Sequence, residues 1–321
     1  MRPQLRPLLL HSLPALLHHS LRALLRHLLP PSLRRLLSPW PAIVAVLGIA
    51  AAAAVPAHAQ APQCEPAKVA TKYPSLAGKT LRIGQDGESP PFSMRDPKDF
   101  EHLIGLDADL ARAVFDCAGV KIAFQTGAWS GLLPALMAGQ IDAMWDTLLY
   151  TPTRAEKVDF VVYMASATGM LVPKGNPKHL HSLADLCGLK ATTGLGTTQE
   201  AQLRDASTAC TKDGKPPIEI ITAVDNPSSM RLVENGRADL MSSNKFMVGS
   251  VVQKNPDLFA EAFDIRTDAL IAVGVPKGAT DMEHAILDGL EVLRRNGTEK
   301  QIFQRYGVDD SLALDPEIRT K

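Results

Sequence analysis

From residue 79 onward the chain alternates short apolar strands with amphipathic helices, and the alternation occurs twice. KTLRIGQD (79–86) reads as a buried strand. A proline-rich turn leads to GLDADLARAVFDCAGV (105–120), where Leu106, Leu110, Ala111, Val114 and Phe115 recur at helical spacing and predict a core-facing helix. KIAFQTG is the next strand. Ser130 is expected to cap a helix carrying Leu132, Leu133, Leu136 and Met137 that stops near Gly139. IDAMWDT (141–147) follows as a strand. A βαβαβ order of this kind implies a mostly parallel sheet covered by helices on both faces, so the expected fold class is α/β.

The pattern restarts after about residue 170. A short helix at His181–Leu186, capped by Ser182 with Asp185 three residues on, precedes the strand LKATTG (189–194). GTTQEAQLRDAS (196–207) opens a helix, IEIIT (218–222) is a strand, SSMRLVENG is a helix ending at Gly236, and ADLMSSN (238–244) is a strand. MAGQIDAMWDT (137–147) echoes ENGRADLMSSN (234–244): helix, Gly, two residues, Asp, then a strand holding Met144 or Met241. A unit repeated once on a period of about a hundred residues means two similar lobes rather than a solenoid. The chain then returns through a strand, DALIAVGVPKG (268–278), and a helix over 281–295 with Met282, Ala285, Ile286, Leu290 and Leu293 on one side. A last helix lies in NGTEKQIFQRYGV (296–308). Residues 78–170 and 268–321 are expected to form lobe 1 and 171–267 lobe 2, joined by two crossing strands near 164–173 and 268–275. Ligands bind in such interlobe clefts, at the carboxyl ends of parallel strands.

Residues 42–55 (AIVAVLGIAAAAAV) have the length of a signal-peptide h-region, and Ala57-His58-Ala59 supplies a cleavage pattern. Residues 1–59 are therefore expected to be a signal peptide with a long basic n-region, cleaved after Ala59, with 60–77 an N-terminal extension and the mature chain periplasmic. An amphipathic Arg/Leu membrane helix is the rival reading of the leader, but Pro3, Pro7, Pro14, Pro30 and Pro31 interrupt it. Without the leader, 262 residues remain, with 28 basic and 34 acidic side chains and a formal charge of −6. That balance gives no electrostatic case for nucleic acid. All four cysteines, Cys64, Cys117, Cys187 and Cys210, lie in the mature part, and an even count in an exported chain favours two disulfides. Of the three possible connectivities, Cys64–Cys117 with Cys187–Cys210 is the most local. Zinc ligation is the rival reading, without a CxxC or a close Cys/His pair to support it.

The chemistry concentrates at strand ends. In WDTLLYTPTRAEKVDF (145–160), Thr151 is an N-cap and Pro152 the first residue of a helix expected to run to about Val158. Arg154 then sits at the positive end of that helix, where a cation is disfavoured. A bound carboxylate would turn it into a clamp; an exposed Arg pairing with Glu156 or Asp159 is the alternative. In GLGTTQE (194–200), Thr197 with Glu200 fits a capping box, and Gly196, Thr197 and Thr198 present N–H groups and hydroxyls. No GK[ST] follows, so nucleotide binding is not expected. QDGESPPF (85–92) places Asp86 and Glu88 past a strand end, as receivers of a cationic group or as loop acids, and Trp129 stands where an aromatic wall would cover a ligand. His102, His179, His181 and His284 are scattered, and no catalytic triad or metal spacing emerges. No catalytic residue, metal or cofactor is expected.

GLDADLARAV, AWSGLLPALMAGQIDAM, the Thr-x-x-Arg of TPTR, VDFVVY, GTTQE and NGTEKQIFQRYG, in this order from about Leu81 to Val308, resemble the periplasmic solute-binding proteins, family 3, that serve ABC importers of polar amino acids. The resemblance implies two Rossmann-like lobes joined by a two-strand hinge, closing on a ligand like a trap. It implies a monomer that captures a small-molecule ligand and delivers it to an inner-membrane ABC permease. Arg154 would grip the ligand carboxylate, helped by Thr147 and the Thr197–Thr198 turn; Trp129 would line the pocket, and Asp86 would face the distal part. Ser89 stands where the family often has a stacking aromatic, Asn244 where an acid usually takes the α-ammonium, and Leu149 where a small hydroxyl residue is common. Trp145-Asp146 is bulkier than usual. The lost acid at 244 leaves Glu88 or Asp146 to supply the charge, or a ligand without that amine. The expected ligand is therefore a small carboxylate. Two rival functions share the fold: a cyclohexadienyl dehydratase-like enzyme using Asp86, Glu88 or Asp146 as acid or base, and a ligand-binding sensor or accessory protein.

Overall fold

The computed structural model describes residues 63–321; the leader and the cleavage site expected after Ala59 lie outside the described residues. Strands β1 (Thr80–Gln85), β5 (Lys121–Thr126) and β6 (Ala143–Met144) run parallel in the order β5-β1-β6. Strands β8 (Lys190–Gly194), β9 (Glu219–Ala223) and β10 (Leu240–Asn244) repeat this as β9-β8-β10. Between the two triplets lie two long antiparallel strands, β7 (Val158–Pro173) and β11 (Phe259–Pro276), paired from Val158↔Pro276 to Pro173↔Phe259. β11 borders β6, and β7 borders β10, so one continuous sheet carries two α/β lobes.

The side-chain alternation of β7 explains how one strand serves both lobes. In its first half, Val161 and Tyr163 enter one apolar core and Val158, Phe160 and Val162 enter the core on the opposite face. In its second half, Met170 and Val172 enter a third core and Leu171 a fourth. The changeover falls at 165–169, opposite a register shift of β11 between Arg266 and Ala269. Polar and small residues occupy that stretch (ASATG), which suits a connection that belongs to neither core.

Helices cover both faces. The helix α2 (Leu106–Ala118), which follows the short α1 (Val69–Lys72), buries Leu106, Leu110, Ala111, Val114 and Phe115 as their spacing requires, and ends at Gly119 with φ +76°. A Cβ on Gly119 would lie 2.2 Å from the Pro66 carbonyl oxygen, so the close approach of the N-terminal segment also requires glycine. The disulfide Cys64–Cys117 ties the same segment to α2, and Cys187–Cys210 closes the second lobe.

The sequence echo has a structural meaning. Asp142 Oδ2 accepts the N–H of Arg82 at 2.7 Å, and Asp142 N donates to the Arg82 carbonyl at 2.8 Å. Asp239 makes the same pair with Lys190, at 2.9 and 2.7 Å. In each lobe this acid locks the start of the strand following the helix to the first strand of that lobe.

Several elements differ from expectation. Helix α3 (Trp129–Met137) begins at Trp129, with Ala128 at the N-cap position and no side-chain cap, so Ser130 is not the cap. IDAMWDT is strand only at Ala143–Met144, because the chain turns at Thr147, where φ is +48°. The helix after Thr151, α4, spans only Pro152–Ala155, because VDFVVY is strand material from Val158 on. The proline-rich turn holds a small antiparallel sheet of β2 (Glu88–Ser89), β3 (Ser93–Asp96) and β4 (Asp99–Ile104). A last strand, β12 (Ala313–Arg319), pairs with β7.

Candidate functional site

A cavity of about 620 Å³ of non-atom space, part of it open to solvent, lies between the lobes at the carboxyl ends of the parallel strands. Lobe 1 lines it with Ser89, Phe92, Trp129, Thr147, Leu149 and Arg154. The strand-to-helix turns of lobe 2 add Thr197, Thr198 and Gln199, then Asp225 and Asn226, then Ser243, Asn244 and Met247, with Gly194, Leu195 and Val224 beside them. Of the residues singled out from sequence, Arg154, Thr147, Ser89, Trp129, Thr197, Thr198 and Asn244 come together here. Asp86 and Glu88 do not join the lining: Asp86 is buried behind Ser89, and Glu88 is exposed.

Arg154 is held by carbonyls, not by acids. Its Nη1 donates to Leu149 O at 2.7 Å and its Nη2 to Gly196 O at 2.9 Å, which bridges the two lobes. The guanidinium lies 5.6 Å from the centre of the Trp129 ring, and the Trp129 indole is fixed by donating to Asp146 O at 2.9 Å. Burial lowers the Arg154 pKa to about 10, which leaves it charged at neutral pH. Glu156 and Asp159 do not pair with it; Asp159 is bound by Lys277 at 2.8 Å. A four-residue helix has little dipole, so the carbonyl pair and the ring position the cation, rather than a helix terminus.

Facing it, Thr197 caps α5 (Thr198–Lys212) by accepting from Glu200 N at 3.1 Å, while Glu200 accepts from Gly196 N at 2.8 Å rather than from Thr197 N. The first turn of α5 leaves its remaining N–H groups without partners inside the helix. Asn244 caps α7 (Lys245–Lys254): its Oδ1 accepts from Phe246 N and Met247 N at 2.9 and 3.4 Å, and its Nδ2 donates to Ser166 Oγ at 3.0 Å.

Buried carboxyls shape the lobe 1 wall from behind. Asp107, the first acid of GLDADL, accepts from Thr147 N at 2.8 Å and from the Tyr163 hydroxyl at 2.5 Å. That hydrogen bond holds a non-glycine residue at positive φ on the cavity wall. Burial pushes the Asp107 pKa up to about 7. Asp86 accepts from Ser89 Oγ at 2.6 Å and Glu88 N at 2.8 Å, and burial raises it to about 6. Asp146 accepts from Asp86 N at 2.8 Å through Oδ2, while its Oδ1 has no partner among the described residues. Burial, and then the charges of Asp86 and Asp107, raise it well above the usual range. Trp145, bulky beside the site in sequence, packs instead into the core between Phe115 and Tyr163.

A second bond crosses the cleft: Asn226 Nδ2 donates to Ser89 Oγ at 2.9 Å. Phe92 also meets Phe246 edge to face, at 6.3 Å between ring centres. Asp225 and Asn226 were missed by sequence reasoning, although the signal was present. VDNPSS follows a strand, Asp225 accepts from Ser228 N at 2.6 Å as the cap of α6 (Asn226–Glu234), and Pro227 sits in its first turn. The same strand-to-helix logic that located GTTQE applies to it. Among the described residues, no cluster of His, Cys, Asp and Glu could hold a metal, and no helix is long and apolar enough to cross a membrane.

The family model for bacterial extracellular solute-binding proteins, family 3, matches residues 81–309. The L-cystine-binding protein TcyJ of Escherichia coli (strain K12) is 27% identical over 232 residues, covering 72% of this chain and 84% of that protein. Among solved structures, an ancestral arginine-binding protein bound to arginine superimposes with a TM-score of 0.65 at 27% identity, over 72% of this chain and 99% of that one. An ancestral amino acid-binding protein, a precursor of cyclohexadienyl dehydratase, reaches a TM-score of 0.61 at 30% identity, over 71% of this chain and 95% of that one. With two α/β lobes, a two-strand connection and a polar cleft between them, the chain belongs to the bacterial extracellular solute-binding proteins, family 3.

Proposed function

We propose that the protein is a periplasmic, non-catalytic receptor that captures a small carboxylate-bearing solute between its lobes and delivers it to an inner-membrane ABC permease. The leader, cleaved after Ala59, exports it, and the mature protein works as a monomer. The observation that carries the reading is Arg154: a half-buried, charged guanidinium with no carboxylate partner among the described residues, two donors on carbonyls and three left for a ligand. A carboxylate taking two of these in parallel supplies the missing anion. The hydroxyls of Thr147, Thr197 and Thr198 stand in the same lining, as do Trp129, Ser89 and Asn244. Relatives that bind cystine and arginine support an amino acid or related compound as the solute class.

The relation to a dehydratase precursor favours an enzymatic second reading. A dehydratase needs an acid or base at the reacting atoms, whereas Asp86 and Asp146 lie behind the wall and Glu88 faces solvent. Titration calorimetry with carboxylate panels tests the first reading, and loss of heat in Arg154→Ala is expected. Incubation with prephenate and arogenate tests the second; aromatic product would replace the receptor reading with an enzyme.

A further inference from the structure

An α-amino acid carries its ammonium on the carbon next to the carboxylate, so a site for one needs an anion close to the group that grips the carboxylate. None is placed there. No carboxylate of the described residues pairs with Arg154, and burial is the sole cause that shifts its pKa. Asn244 is uncharged, and its Oδ1 is taken up by two backbone N–H groups. Asp86 is occupied by Ser89 Oγ and Glu88 N, Asp146 lies beneath the Asp86 N–H, and neither lines the cavity. An α-ammonium enclosed here would lack a charged partner, which is costly.

The lining does contain one carboxylate among the described residues, Asp225 of lobe 2. Its Oδ1 caps α6, while its Oδ2 takes no hydrogen bond from the described residues. It makes no ion pair with Arg154, whose pKa is shifted by burial alone, and it neighbours Asn226, which makes the second cross-cleft bond. The cavity is thus dipolar, with its cation from lobe 1 and its anion from lobe 2. A ligand that pairs with both holds the lobes together.

We infer that the cleft selects a carboxylate whose ammonium is separated from it along the chain, an ω-amino acid, with the carboxylate on Arg154 and the ammonium on Asp225. This deepens the receptor reading and rests on it. Isomers isolate the variable. Titration calorimetry on the protein, stripped of ligand, would compare 4-aminobutyrate, 5-aminovalerate and 6-aminohexanoate. Each is set against its L-2-amino isomer and the amine-free acid of equal length. The expected result is an ω-isomer that binds at least tenfold more tightly than both counterparts at one chain length or more. In Asp225→Asn, which keeps a good N-cap, the ratio to the amine-free acid falls below threefold. An L-2-amino isomer that binds as tightly as the ω-isomer at every length, with binding lost in Arg154→Ala, overturns this inference and leaves the receptor reading standing. Absence of binding by all nine compounds overturns both.

Discussion

Arg154 and Gly196 join the two lobes: the guanidinium of one donates to the carbonyl of the other at 2.9 Å. The same side chain holds Leu149 O from within its own lobe, so one planar group both closes the cleft and offers its remaining donors to a ligand. Lysine has no such fork. Arg154→Lys is expected to keep the fold and lose binding by about 10- to 100-fold, the equivalent of roughly 1.4 to 2.8 kcal/mol, as read by calorimetry.

The Ser89–Asn226 bond is expected to act on residence time. Asn226→Ala removes the donor to Ser89 Oγ. A neutral hydrogen bond is worth about 1 kcal/mol, so the dissociation rate should rise roughly fivefold with little change in the association rate. Stopped-flow fluorescence of the nearby Trp129 would read both rates.

Asp107 makes a pH-dependent contribution to stability. Its folded pKa, about 7, lies above the unfolded value, so its stabilisation is complete below the unfolded pKa and is lost as pH rises through 7. Asp107→Asn keeps an acceptor for Thr147 N and removes this loss. The midpoint of the variant relative to the parent should therefore climb between pH 5 and pH 8, by on the order of 3 kcal/mol of unfolding free energy. A gap that stays constant with pH would refute it.

Each disulfide should stabilise by restricting the unfolded chain. Sequence separations of 53 and 23 correspond to about 4 and about 3 kcal/mol. Cys187→Ser/Cys210→Ser is expected to lower the melting midpoint by several degrees and to leave the ligand preference intact, since this bridge lies away from the cavity lining.

Much of this was legible in the sequence because strand and helix periods differ and the caps are explicit. The core face of α2, the Thr151 and Thr197 caps and the two disulfides follow from local patterns, whereas the meeting of Arg154 with Thr197 is what the family resemblance implies. The shortened strand at Ala143–Met144 was not legible, because Thr147 adopts positive φ only through a hydrogen bond to Asp107, forty residues earlier. Its place after β1 marks Asp86 as a ligand-facing acid, yet the residue is buried, its carboxylate is taken up by Ser89 Oγ, and it is not part of the lining. The sequence marks a crossing strand only near 164–173, whereas the pairing of β7 with β11 extends it back to Val158. Tertiary hydrogen bonds and pairing decided each of these, and a linear pattern does not contain them.

The most direct measurement is a thermal-shift comparison of the ligand-stripped protein and Arg154→Ala against amine-free carboxylates, α-amino acids and ω-amino acids. A ligand at a thousand times its dissociation constant adds about 4 kcal/mol, enough to raise the midpoint by many degrees. The account predicts a clear rise with one carboxylate class in the parent protein and none in Arg154→Ala. Equal shifts in both proteins, or no shift in either, would contradict it.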